Sequence, residues 1–90
     1  MTNLFYEILD QNGERTFGSG SMYSHPKEVY LANGKLHAYV DIKDSQVVVE
    51  SHPDIVAKGT TGSFVLNPGE KGVVQLAESS GQSVRIHATE

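Results

Sequence analysis

Turn-forming residues recur so closely along this chain that ordinary helices do not fit between them. They stand at Asn12-Gly13, Ser24-His25-Pro26, Asn33-Gly34, Lys43-Asp44-Ser45, Ser51-His52-Pro53-Asp54, Gly59-Thr60-Thr61-Gly62, Asn67-Pro68-Gly69-Glu70 and Ser79-Ser80-Gly81. Gly accepts positive φ, Pro presets its own φ, and Asn, Asp and Ser bond back to the main chain. The short runs between these turns are rich in Val, Ile, Tyr and Phe, which suit a pleated, half-buried surface. No window of about eleven residues carries an i, i+3, i+4, i+7 apolar stripe free of Gly and Pro. At most one turn of helix fits, near Asp54–Lys58. Such spacing predicts an all-β fold: a small antiparallel β-sandwich of about eight short strands, with a small β-barrel as the alternative.

Strand registers follow from the turns and can be checked against each other. Asn33-Gly34 as a two-residue type I′ turn sets Leu31 opposite Leu36, Tyr30 opposite His37, Val29 opposite Ala38 and Glu28 opposite Tyr39. Side chains alternate between faces, so Val29, Leu31, Leu36, Ala38, Val40 and Ile42 share one side. Glu28, Tyr30, His37, Tyr39 and Asp41 share the other. Asp44-Ser45 as a second two-residue turn sets Ile42 opposite Val47 and Val40 opposite Val49, on the same apolar side. A slip of one residue would expose the whole apolar set, so two agreeing turns predict a three-stranded meander over 28–50.

The ends follow the same logic. Asn12-Gly13 as a turn sets Asp10 opposite Arg15 and Ile8 opposite Phe17. A loop over Glu78–Gln82 sets Leu76 opposite Val84 and Val74 opposite Ile86, turning Val73, Gln75, Arg85 and His87 outward. Asn67-Pro68-Gly69-Glu70 has the composition of a type II turn joining 63–66 to 72–77. The expected core is Tyr6, Ile8, Phe17, Val29, Leu31, Leu36, Ala38, Val40, Ile42, Val47, Val49, Phe64, Leu66, Val74, Leu76, Val84 and Ile86. Hairpin links make the strand order mostly up-and-down, with Ser51–Gly62 as the connection able to cross between sheets. The run Phe64-Val65-Leu66-Asn67-Pro68-Gly69-Glu70 followed by Val73-Val74-Gln75-Leu76 resembles hairpins common in immunoglobulin-like sandwiches; the resemblance implies a fold and no function. Ser24-His25-Pro26 and Ser51-His52-Pro53 form a short internal similarity, explained by two loop-to-strand entries at Pro or by a duplicated half.

Composition narrows the function classes. Ninety residues fit one domain, 1–90, with a thin core. There is no cysteine, hence no disulfide to compensate and no thiolate metal or redox site. Self-association is then the remaining means of support. Seven basic residues against eleven acidic ones leave a net charge of -4. The basic residues are scattered, so no nucleic-acid partner and no membrane surface is expected. No apolar run approaches the ~18 residues of a membrane span. The first residues lack a basic and an apolar region of a secretory leader, so a cytoplasmic protein or a virion or assembly component is expected.

Candidate chemistry is sparse. None of the nucleophile, phosphate-loop, zinc-protease or calcium-loop motifs occurs, and Gly18-Ser19-Gly20-Ser21 has no following helix or lysine. No cofactor is expected. His25 and His52, with Asp54, form the one metal-ligand combination that the loops suggest. Asp41 and Glu50 are the nearest paired carboxylates, and they read as solvated charges on an open face. The most informative feature is the outward side of the meander, where Tyr30, His37 and Tyr39 gather with Glu28, Asp41, Val48 and Glu50. Tyrosine offers apolar area and a hydroxyl at low entropic cost. The expected function is a non-enzymatic interaction or structural module: a self-associating subunit of a larger assembly, or an inhibitor of a partner protein. A small metal- or ligand-binding β-protein using the His25/His52 loops is the alternative.

Overall fold

The computed structural model of the chain describes residues 2–16, 19–24, 26–32, 34–77 and 81–90. Eight strands run in order: β1 (Asn3–Leu9), β2 (Met22–Ser24), β3 (Glu28–Leu31), β4 (Leu36–Asp41), β5 (Gln46–Ser51), β6 (Phe64–Leu66), β7 (Lys71–Gln75) and β8 (Ser83–Thr89). A single 3-10 turn, Pro53–Ile55, is the only helical element among the described residues. None of their helices is long and apolar enough to cross a membrane.

The strands form two four-stranded antiparallel sheets, ordered β2-β1-β8-β7 and β3-β4-β5-β6. Neither closes on itself, so the architecture is the sandwich and not the barrel. The second sheet is a continuous meander. The first is assembled from the two ends of the chain, with β1 and β8 paired from Asn3↔Thr89 to Leu9↔Ser83.

One apolar layer lies between the sheets. The meander contributes Leu31, Leu36, Ala38, Val40, Val47, Val49 and Leu66, and the other sheet contributes Leu4, Val74, Val84, Ile86 and Ala88. Tyr6, Ile8, Val29, Phe64 and Leu76 pack against its margins. The expected core is thus largely observed, with Leu4 and Ala88 added by the pairing of the chain ends. Phe17 lies outside the described residues. Ile42 does not belong to the core, being 58% exposed.

Ile42 leaves the core because the β4–β5 turn is longer than two residues. Asp41 pairs with Gln46, and Ile42, Lys43, Asp44 and Ser45 form the loop. The Asp41 carboxylate accepts the Lys43 and Asp44 N–H groups at 2.9 and 3.2 Å, holding the loop open. The register moves by two residues, pairing Val40 with Val47 and Ala38 with Val49. A shift of two preserves which face each side chain takes, so every other inward residue stays inward. The β3–β4 register is the expected one, from Glu28↔Tyr39 to Leu31↔Leu36. Its turn type depends on Asn33, outside the described residues.

The same device acts at the first hairpin. The Asp10 carboxylate accepts the Asn12 and Glu14 N–H groups at 2.8 and 3.0 Å, and Gly13 takes φ +80°. This is a three-residue loop with a left-handed glycine. Arg15 therefore faces Leu9 and not Asp10. The β7–β8 register also differs by two, pairing Val74 with Val84, and again the faces survive.

The sheet crossings correct the expected connectivity. Ser51–Gly62 joins β5 to β6, neighbours within one sheet; it reaches the other sheet at Val56, beside the end of β7, and returns. The chain crosses instead between β2 and β3, and at Asn67–Glu70 between β6 and β7. The latter is the type II turn foreseen, with Glu70 N–H donating to Asn67 C=O at 2.9 Å and Gly69 at φ +91°. It links two sheets, however, and forms no immunoglobulin-like hairpin. The two Ser-His-Pro segments also diverge: Pro26 leads into β3, whereas Pro53 opens the 3-10 turn. Ser19, within the glycine-serine stretch, seals part of β1, its hydroxyl bonding both N–H and C=O of Ile8 at 2.8 and 2.9 Å.

Two measurements check this packing. Leu36→Ala should cost about 2–5 kcal/mol by urea unfolding, whereas Ile42→Ser should change stability by less than about 0.5 kcal/mol. Gly72 faces inward where a Cβ would strike the Phe64 ring. Gly72→Ala should therefore destabilise by about 1–3 kcal/mol, although alanine suits a strand better than glycine.

Candidate functional site

The outward residues of β3, β4 and β5 meet because their registers stack them in rows. Tyr30 lies directly across from His37, and His37 across from Glu50. One step along, Glu28 lies across from Tyr39, and Tyr39 across from Val48. The Tyr30 and His37 rings stack with centroids 4.7 Å apart and planes 9° apart. His37 and Tyr39, two residues apart on one strand, sit 4.2 Å apart and tilted by 45°. The imidazole is thus enclosed between two phenols, while Tyr30 remains 60% exposed.

Carboxylates frame this aromatic row. The His37 Nε2 is shielded from solvent and lies 3.2 Å from Glu28 Oε2, within ion-pair range but without hydrogen-bond alignment. The Tyr30 hydroxyl donates a long hydrogen bond, 3.4 Å, to Glu28 Oε1. Asp41 and Glu50, with Tyr39, Val40 and Val48, line an open depression beside the aromatic row. Partial burial, then the negative charges of Glu28 and Glu50 and the Tyr30 phenol, push the Tyr39 phenol above its ordinary 10.0.

Of the residues singled out from sequence, Tyr30, His37, Tyr39 and Glu28 come together in one cluster. Asp41 stands at its margin, with its carboxylate committed to the following turn. Glu50 lies across from His37 and not from Tyr39, a consequence of the two-residue register shift.

The loop residues are arranged differently. His52 caps the 3-10 turn, its Nδ1 accepting the Asp54 N–H at 3.2 Å and lying 3.4 Å from Asp54 Oδ2. His25 lies outside the described residues. Among the described residues, no three His, Cys, Asp or Glu side chains converge in a way that could hold a metal ion.

A second polar cluster, unforeseen, occupies the outward side of β1 and β8. Glu7 Oε1 accepts from Arg85 Nε at 2.9 Å and from His87 Nε2 at 2.7 Å. The Glu7 side chain is only 12% exposed. Its hydrogen bonds from Arg85 and His87 outweigh the cost of burial and hold its carboxyl below the ordinary 4.5. Phe5 lies beside His87, with ring centroids 5.6 Å apart, and Arg15 sits over the Phe5 ring at 5.3 Å. The outward direction of Arg85 and His87 was legible, but their partner lies some eighty residues away, and no local turn specifies that pairing.

These two clusters respond to opposite ends of the pH scale. A lowered folded-state pKa at Glu7 stabilises the fold above pH 4.5, and that contribution disappears as pH falls through the folded value. Glu7→Gln should cost about 1–3 kcal/mol at neutral pH and flatten the acid limb of a stability–pH curve. A raised folded-state pKa at Tyr39 means that stability is lost as pH rises above 10.0. Burial also raises the Tyr6 phenol, so phenolate absorbance should show two tyrosines titrating late. Of these, only Tyr39 should shift back, and only in part, in Glu28→Gln with Glu50→Gln, because burial is its larger cause. In comparison with known proteins, no family model, no curated protein and no solved structure matches this chain, so the chemistry of these two faces stands alone as the guide to function.

Proposed function

We propose that the protein is a non-enzymatic interaction module, a self-associating subunit of a larger assembly, and that the outward face of β3–β5 is its contact surface. The observation that carries this is the row of Tyr30, His37 and Tyr39 on the solvent side of a sheet whose other side already forms the core. Rigid aromatics held in stacks lose little further side-chain entropy on contact and bring large apolar area. Glu50 stands exposed beside them on this open face, where it can complement a partner.

The edges support a face contact over strand addition. A long unpaired edge is the usual template for adding another chain. Here β2 and β6 have three residues each and β3 has four. Beside β7, Val56 bridges to Leu76, Ala57 N–H donates to Gln75 C=O and Ala77 N–H donates to Ile55 C=O. A thin single core also gains from association.

Light scattering over a concentration series tests the proposal. The wild-type chain should show a mass above that of one copy. Tyr30→Ala with Tyr39→Ala should retain the far-UV signature of the fold, lose at most about 2 kcal/mol of stability, and run as a single copy. A wild-type mass of one copy at every concentration, or a variant that associates undiminished, would refute it.

A further inference from the structure

We propose that copies of this chain associate head to tail, the outward face of β3–β6 in one copy seating on the outward face of β2-β1-β8-β7 in the next. The inference rests on the contact surface proposed above and adds its occupant. It follows from the opposite charge of the two faces.

The strands β3–β6 contain no lysine or arginine, and their outward positions carry Glu28, Asp41 and Glu50, a formal charge of -3 with His37 neutral. On the opposite side of the molecule, Lys71 and Arg85 point outward from β7 and β8, and Arg15 lies over the outward ring of Phe5. Glu7 is the one carboxylate among the outward residues of those four strands, already engaged by Arg85 and His87. On the strands alone, two cations against one anion leave that face at +1 with His87 neutral, and Arg15 adds a further cation from outside the strands. Two copies meeting through their acidic faces would set like charges opposite each other without a partner. Acidic face against basic face pairs them.

Apolar area and size are also matched. Tyr30, Val48 and Val65 stand outward on one side, and Phe5, Met22 and Val73 on the other, with Met22 at 56% and Val65 at 50% exposed. A rectangle on the two longer dimensions, 36 and 25 Å, covers about 900 Å², close to the ~800 Å² per partner of a standard interface. A contact between different faces repeats, giving a ring if the rotation closes and a stack if it does not.

Charge exchange tests the arrangement. Glu50→Lys and Lys71→Glu are substitutions of exposed side chains, and circular dichroism of each should match the wild type. By sedimentation velocity, each variant alone should run as one copy. An equimolar mixture should recover assembly, because each junction in it sets opposite charges at positions 50 and 71, which the head-to-tail seating brings together. Glu50→Gln and Lys71→Gln should each weaken assembly, and their mixture should recover pairs joined by one native junction and not the longer assembly. Raising ionic strength from about 0.05 to about 0.5 M should weaken the wild-type assembly about tenfold or more. Wild-type assembly with no rescue in the mixture, or with either single charge exchange left without effect, would overturn the head-to-tail arrangement while self-association stands. A wild-type chain that remains one copy throughout would overturn both.

Discussion

The pairing of β1 with β8 holds this molecule together. It ties residues 3–9 to residues 83–89 along their full length, converting two terminal hairpins into one sheet. Without it, Leu4, Val84, Ile86 and Ala88 would have no shared surface to lay over the meander. Closing a loop of this length costs entropy that grows only slowly with chain length, and the buried apolar layer offsets it. The same pairing creates the Glu7–Arg85–His87 cluster, because Glu7 falls opposite Arg85 and one diagonal step from His87. Core and outer polar cluster are thus the two faces of one register.

Two aspartates govern the hairpins more than their turn dipeptides do. Asp10 and Asp41 each stand at the last position before a loop and each bind two N–H groups of that loop. A carboxylate that satisfies loop amides lets a longer turn compete with the tight two-residue one. At Asp41 the result is a four-residue loop whose last residue, Ser45, takes φ +56°. That conformation is unusual outside glycine, and the hydrogen bonds at Asp41 compensate for it. The buried Thr2 adds a distant brace, its hydroxyl donating to the Ser45 C=O at 2.8 Å.

The two outer faces differ in how they satisfy their polar groups. The β1–β8 side satisfies its one outward carboxylate internally, the nearly buried Glu7 taking two donors. The β3–β5 side leaves Glu50 exposed and Tyr30 largely in water, while the Nε2 of His37 is enclosed without an aligned acceptor. The first face thus keeps cations beyond those that Glu7 engages, and the second keeps an exposed carboxylate beside its aromatics, so the two differ in the charge they offer a second molecule.

Alternation along short runs was enough to determine an all-β chain, the inward set from Val29 to Val49 apart from Ile42, and the gathering of Tyr30, His37 and Tyr39. Period-two patterning and the Asn33-Gly34 turn are local, and a register error of two residues leaves them intact. The loop lengths at Asp10 and Asp41 are also local, each carboxylate binding amides two to four residues on, but the turn dipeptides alone do not reveal them. Only the tertiary structure decided that the chain crosses at Asn67–Glu70, while Ser51–Gly62 touches the end of β7 and returns to its own sheet. The partnership of Glu7 with Arg85 and His87 likewise belongs to it alone, because pairing between chain ends is chosen by the burial that the completed sandwich achieves and by no signal carried within either segment.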